Sequence, residues 1–287
     1  MSDQDPMDAT SGGMARRLGS DFRVRLASGI AMAIAAAVLT IAGAIPFAVL
    51  VAAAALLVSW EWSRLVHGTE QGALLSVLLG TTALAAFLAA MGYVALGLLA
   101  LPIGAILATV LSLGRNSLFS ALGVFYAGFP AVALIWLRSD PWHGLLATVF
   151  VIAIVAVSDT AAFFSGRLLG GPLLWARVSP KKTWAGLIGA LAACAVAGAL
   201  FWFAIPEASA LRLGITGAVL SLVAQAGDLA ESAFKRRFGA KDAGHIIPGH
   251  GGVMDRVDGV VAAASAVGLV AVVVDVYSPA RALLFGL

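Results

Sequence analysis

Three acidic clusters interrupt an otherwise apolar sequence, each with a spacing that could hold a cation. Asp228 lies in the run Q-A-G-D-L-A-E-S, with Glu231 and Ser232 three and four residues later and Gln225 three before. On a helix that spacing puts all four side chains on one face. Two carboxylates and two neutral oxygen donors at a water boundary suit a hard cation, although a polar stripe joining two helices uses the same spacing. Asp255 and Asp258 form a second pair in H-G-G-V-M-D-R-V-D-G, residues 250–259, at the expected opening turn of a helix. Acids there complement the helix N-terminus; that explains one of them but not two around Arg256. Beside His250, Gly251 and Gly252 let backbone amides approach an anion closely. The third acid, Asp159, sits between Ser158 and Thr160 within an apolar run. Charges inside such runs are costly and mark function or an ion pair with a neighbouring cation.

Basic residues are interleaved with these acids. Lys235, Arg236, Arg237 and Lys241 follow the first cluster, with Asp242 next to them, and Ser179-Pro180-Lys181-Lys182-Thr183-Trp184 forms a second basic segment. Juxtamembrane cations commonly anchor lipid headgroups. A plain anchor needs no acids, however, and carboxylates, glycines and cations together suit Mg²⁺ with several phosphates. His245 and His250 lie too far apart, without a third ligand, to suggest zinc. The lone Cys194 excludes a disulfide framework and a cysteine metal site, and reads as a small packing residue. His67, Glu70, Asp140, His143 and Glu207 fall in connections and read as solvated.

The elements that position these residues follow from composition. The chain is 61% hydrophobic and 11% charged over 287 residues, against about 45–50% and 25% for soluble domains. A bilayer must therefore be the solvent for most of it, and an all-α, polytopic transmembrane helical bundle is expected. A span needs about 20 apolar residues, which gives nine candidates: 26–44, 46–63, 73–91, 93–113, 118–137, 143–165, 184–205, 210–230 and 257–276. With the N-terminus in the cytoplasm, fifteen of the 18 Lys and Arg fall on the cytoplasmic side, as the positive-inside rule requires. Residues 1–25 read as a cytoplasmic tail without a cleavable signal. Residues 26–117 form an N-terminal transmembrane scaffold. The catalytic transmembrane region is 118–287, with cytoplasmic loops 166–183 and 231–256 facing the inner side of the plasma membrane.

The run from Ser232 to Asp258, S-A-F-K-R-R-F-G-A-K-D-A-G-H-I-I-P-G-H-G-G-V-M-D-R-V-D, resembles the signature of the phosphatidate cytidylyltransferase (CDP-diacylglycerol synthase) family. Q-A-G-D-L-A-E-S, S-P-K-K-T-W and S-D-T resemble the same family in the same order, over about residues 120–276. Trp60-Glu61-Trp62 is the one specific echo nearer the N-terminus. Ala161, Phe163, Ala185 and Gly259 depart from the common pattern, Ala185 standing where many members carry Glu, and none of them removes a presumed metal ligand.

The resemblance implies transfer of a cytidylyl group from CTP to phosphatidate, giving CDP-diacylglycerol and pyrophosphate. It implies Asp228 and Asp255 as Mg²⁺ ligands, with Glu231 and Asp258 as further ligands or supports. Lys235, Arg236, Lys241 and Arg256 would meet the CTP phosphates, with Ser232, Asp242, His250, Gly251 and Gly252 lining the same site. Ser179, Lys181, Lys182 and Thr183 would hold lipid phosphate or nucleotide, and Asp159 would orient one of those cations. A second, monovalent cation is also implied, and membrane lipids surround the site. No nucleic acid partner is expected, and isologous pairing into a homodimer is the default for a membrane enzyme of this size. The competing readings are a CTP-dependent lipid-alcohol kinase, a cytidylyltransferase for another lipid phosphate, and an ion-coupled transporter using Asp159, Asp228 and Asp255.

Overall fold

Where no water reaches, every backbone N–H and C=O must be bonded inside its own segment, so apolar runs of this length become helices. The computed structural model describes residues 29–68, 72–112, 114, 116–244, 246 and 251–286. Helix α1 is Gly29–Ala42. It is followed by α2 (Ala44–His67), α3 (Gly72–Ala90), α4 (Val94–Leu111), α5 (Ser117–Ser139) and α6 (Gly144–Leu169). A hairpin of β1 (Leu173–Trp175) and β2 (Ser179–Thr183) then leads into α7 (Trp184–Leu200), α8 (Ala210–Arg237), α9 (Met254–Val274) and α10 (Pro279–Leu284).

Eight of these helices, α2 to α9, are long and apolar enough to cross a bilayer, and α1 is shorter. The nine-span expectation therefore holds for its last eight members. The first is a partial helix whose expected opening residues lie outside the described ones. The expected tail also lies outside them.

Two boundaries differ in ways that bear on the site. Hydropathy ends the eighth span at residue 230, but α8 continues to Arg237. The first residues of the expected loop 231–256 are thus helical: their backbone bonds do not depend on side-chain polarity, and their charges find partners. The other expected loop, 166–183, is mostly ordered structure. Gly170 and Gly171, at φ of +64° and +99°, turn the chain out of α6, and the antiparallel hairpin pairs Leu173 with Thr183 and Trp175 with Ser179. Thr183 then caps α7, its hydroxyl oxygen accepting from the Gly186 amide at 3.1 Å.

Two large apolar clusters hold the bundle together, with a small third one around Trp136, Ala271 and Ala282. Of the large ones, one joins α2, α3, α4 and α5, and the other joins α6, α7, α8 and α10, with α9 contributing to both. Large apolar side chains such as Ile103, Ile106, Phe87 and Val273 point outward, as lipid-facing positions do. Between α7 and α8, small residues allow backbones to touch. A Cβ on Gly198 would run into the Leu213 carbonyl, and one on Gly214 would lie 3.0 Å from the Ala195 carbonyl oxygen. Gly198→Val should therefore lower stability by roughly 1–3 kcal/mol through overpacking, read as a reduced unfolding midpoint in detergent.

The polar residues gather at the two ends. Contacts between Glu61 near the end of α2 and the start of α9 put those termini together with the C-terminus of α8. At the opposite end Arg138 donates from Nε to the Thr40 carbonyl at 2.9 Å. Asp140, expected to be solvated, is instead buried there. It accepts from the Trp142 and His143 amides and from Ser278 Oγ at 2.6 Å, because it ties the α5–α6 turn to the start of α10. Nearby, the Arg281 guanidinium hydrogen-bonds Asp275 and holds its carboxyl below the usual carboxylate range. That contact stabilises the fold above the ordinary carboxylate pKa and is lost as pH falls through the lowered one.

Candidate active site

α8 carries the centre of the site on its last three turns. Asp228 lies between the β-hairpin and α9, and Asp258 approaches it from α9. A Cβ on Gly227 would come within 3.2 Å of the Asp258 carbonyl, so the two helices nearly touch at this level. Two lysine–carboxylate groups flank that contact.

The first group is built from α6, α8 and β2. Lys182 Nζ lies 2.6 Å from Asp228 Oδ2 and donates to Gln225 Oε1 at 3.0 Å and to the Gln225 carbonyl at 3.3 Å. The Gln225 amide nitrogen donates in turn to Asp159 Oδ1 and Ser158 Oγ, both at 3.2 Å. Asp159 is thus linked to Lys182 through Gln225. Ser158 also shares a 2.8 Å hydrogen bond with Ser221 of α8, which fixes the α6–α8 register beneath the acids. A cavity of about 320 Å³ opens over this group, lined by Asp159, Ser179, Lys181, Lys182, Thr183, Gln225 and Asp228. The ordered hairpin carries Lys182 to this position.

The second group is built from α8, α9 and the segment before α9. Lys235 Nζ lies 2.6 Å from Glu231 Oε2 and 2.5 Å from Asp255 Oδ1. Asp255 Oδ2 accepts from the amides of Ala243 and Gly252, each at 2.9 Å. Glu231 is 2% and Lys235 9% exposed, so their charges must be compensated within the protein. Compensation is incomplete at one atom: Glu231 Oε1 is buried without a hydrogen-bond partner among the described residues. Asp258 is within electrostatic reach of both groups, of Asp228, Asp159 and Lys182 on one side and of Glu231 on the other. Among the described residues its Oδ1 accepts only from the next amide, that of Gly259, at 2.8 Å.

The carboxylates are hard oxygen donors, the type that Mg²⁺ takes. Among the described residues no three acids or histidines are gathered into a ready-made metal cage. Mg²⁺ is commonly bound by one or two carboxylates plus substrate phosphates, and the unpartnered Glu231 oxygen and lightly bonded Asp258 fit that mode.

Other expected site residues are less closely engaged. Ser232 Oγ reaches Asp228 Oδ1 only at 3.4 Å. Arg236 is exposed and donates to the Ala240 carbonyl at 3.3 Å, while Lys181, Lys241 and Arg256 are also exposed. Asp242 faces a different cavity, of about 400 Å³, shared with Trp60, Arg64 and Gly244. Gly251 adopts φ of +87°, the left-handed conformation that favours glycine. His250 and His245 lie outside the described residues.

Glu61 is not among the expected site residues, because it sits near the end of its span, where an acid reads as interfacial. Its signals in the sequence are the acid between two tryptophans in an apolar run and the family echo of Trp60-Glu61-Trp62. Tyr126 was missed as well; its hydroxyl is buried without a hydrogen-bond partner among the described residues. It borders an apolar groove of about 570 Å³ that is lined by Trp62, Leu122, Phe125, Phe129 and Leu269 and reaches Glu231.

Comparison with known proteins gives consistent results. The family model described as the cytidylyltransferase family matches residues 23–274. A phosphatidate cytidylyltransferase from Brucella suis is 40% identical over 251 residues, covering 86% of this chain and 92% of that protein. The phosphatidate cytidylyltransferase of Haemophilus influenzae is 41% identical over 150 residues, 50% of this chain and 52% of its own length. That of Staphylococcus aureus is 40% identical over 156 residues, 52% of this chain and 58% of its own.

Proposed function

The chain belongs to the cytidylyltransferase family, and we propose on that basis that it transfers the cytidylyl group of CTP to phosphatidate at the cytoplasmic face of the inner membrane. The observation that carries this reading is the pair of lysine–carboxylate groups, Lys182–Asp228 and Lys235–Asp255, on either side of the α8–α9 contact. Phosphates bring several negative charges, and cations already balanced by carboxylates can be shared with them as they bind. The apolar groove that ends at Glu231 suits the acyl part of a lipid. The concentration of basic residues at this end of the bundle supports the cytoplasmic assignment.

The reaction needs no strong base. A phosphate oxygen of phosphatidate, already anionic, attacks the α-phosphorus of CTP. The new P–O bond forms as the bond from the α-phosphorus to the bridging oxygen breaks, and pyrophosphate leaves with that electron pair. The difficulty is electrostatic, because two anions must meet in line. Lys182, held by Asp228 and Gln225, and Lys235, held by Glu231 and Asp255, supply fixed positive charge that does not have to reorganise as the reaction proceeds. Arg236, Lys241 and Arg256 lie at the exposed rim, where they would meet the outer phosphates. Asp228 and Asp255, with Asp258 and Glu231 as further donors, would hold Mg²⁺, which when bound neutralises phosphate charge and orients the triphosphate. A monovalent cation would share the same acidic surroundings.

Two measurements test this reading. Pyrophosphate release by the purified protein with CTP should require phosphatidate, with an isoprenoid phosphate or diacylglycerol giving little or none. Turnover favouring either of those acceptors would reassign the substrate. Chelation of divalent cations should stop the transfer, and added Mg²⁺ should restore it; full activity in excess chelator would remove the metal from the scheme.

A further inference from the structure

A carboxylate that the proposed reaction does not use lies immediately behind the one it needs most. Glu61 of α2 is fully buried, at a level where an uncompensated charge is expensive. Among the described residues its compensation comes from backbone: Oε1 accepts from the Val253 amide at 2.9 Å and Oε2 from the Met254 amide at 2.7 Å. Val253 is the residue that caps α9, and it has no side-chain cap of its own. Glu61 thus supplies, from a distant helix, the acceptors that the start of α9 needs.

The same segment serves Asp255. Four amides near the start of α9 are divided between two acids: Ala243 and Gly252 donate to Asp255, and Val253 and Met254 donate to Glu61. Two glycines make room for this. A Cβ on Gly244 would lie 2.5 Å from Glu61 Oε1, and one on Gly252 would lie 2.8 Å from both Glu61 oxygens. Side chains at either position would push the segment off Glu61. The neighbouring tryptophan adds stiffness on the same helix: Trp62 stacks on Phe234 of α8 at 3.9 Å between ring centroids. Glu61 is therefore held by the helix that packs against the Lys235 turn.

We propose that Glu61 is a positioning residue, which fixes the segment leading into α9 and thereby holds Asp255 opposite Lys235. It touches neither substrate nor reacting atoms. The proposal rests on the reading of Asp255 given above, and its test separates the two.

Glu61→Gln keeps the shape but replaces one acceptor oxygen with a donor that faces a backbone N–H. Hydrogen exchange should accelerate in the peptide spanning 251–258, at least tenfold, with the 228–232 stretch unchanged. In the same protein kcat should fall about 10–100-fold, the scale of a small misplacement of a reacting group, with little change in KM for CTP. Glu61→Asp keeps both oxygens on a shorter stem and should recover part of the lost kcat. If Glu61→Gln does not fold, the aspartate variant carries the test: its kcat and its exchange at 251–258 should both lie between wild type and a Glu61→Ala protein. Unchanged exchange, or faster exchange with unchanged kcat, would overturn the proposal. Full activity of Asp255→Asn would instead overturn the reading on which it rests, while leaving the exchange result intact.

Discussion

Asp255→Asn should reduce CTP-dependent lipid labelling to below about 1% of wild type while leaving a folded protein. The carboxylate accepts three hydrogen bonds, from Lys235 and from the amides of Ala243 and Gly252. An asparagine of the same shape keeps one acceptor oxygen, but it presents an amide nitrogen to a donor and removes one of the two carboxylates from the second lysine group. Metal affinity and the placement of Lys235 would both suffer. The fold should survive because Lys235 keeps Glu231 as a partner at 2.6 Å, so no buried ammonium is left alone. A mono-disperse elution profile and a thermal midpoint close to wild type, measured beside the labelling assay, would distinguish lost chemistry from lost structure. Retained turnover in a folded variant would remove Asp255 from the scheme.

Lys182→Met should have the second largest effect, lowering kcat/KM by about 10²–10³-fold. The methionine keeps much of the aliphatic stem and removes only the ammonium, which lies against Asp228 and Gln225. Without it, Asp159, Asp228 and Asp258 lose the ammonium held directly against Asp228, and the approach of a phosphate becomes less favourable. The cost to folding should be small, since the side chains of Lys182 and Asp228 are 17% and 32% exposed and water can hydrate the freed carboxylate. Steady-state kinetics with each substrate varied in turn would show whether the loss lies in CTP or in phosphatidate. A loss confined to phosphatidate would assign Lys182 to the lipid phosphate. Wild-type kinetics would mean that the β-hairpin does not serve the site.

Much of this site is legible in the residue order, for a physical reason. Carboxylates cannot be placed at random in an apolar helix, so Asp159, Asp228 and Asp258 declare themselves as soon as the helices are drawn. The face shared by Gln225, Asp228, Glu231 and Ser232 is likewise a property of helix geometry. Side-chain partners are not local in this way. The Lys182–Asp228 pair depends on a hairpin whose strands, of three and five residues, are too short to stand out, and its two residues meet only because β2 packs beside α8. Glu61 meets Val253 and Met254 across more than 190 residues of chain, and no periodicity predicts that. Hydropathy does not locate the end of α8, because it reports where lipid stops, whereas the helix stops where its backbone bonds do. The place of Asp140 in a connection suggests a solvated side chain, but Ser278, 138 residues away, covers it.

The label position in CTP distinguishes transfer of the α-phosphorus to a lipid phosphate from every competing reaction. Purified protein supplied with phosphatidate and Mg²⁺ should be given CTP radiolabelled at either the α- or the γ-phosphorus, and the lipid then extracted into organic solvent. The account predicts α-label in the organic phase and γ-label in aqueous pyrophosphate. γ-Label in the lipid would identify a kinase, and an unlabelled organic phase in both cases would contradict the transfer altogether.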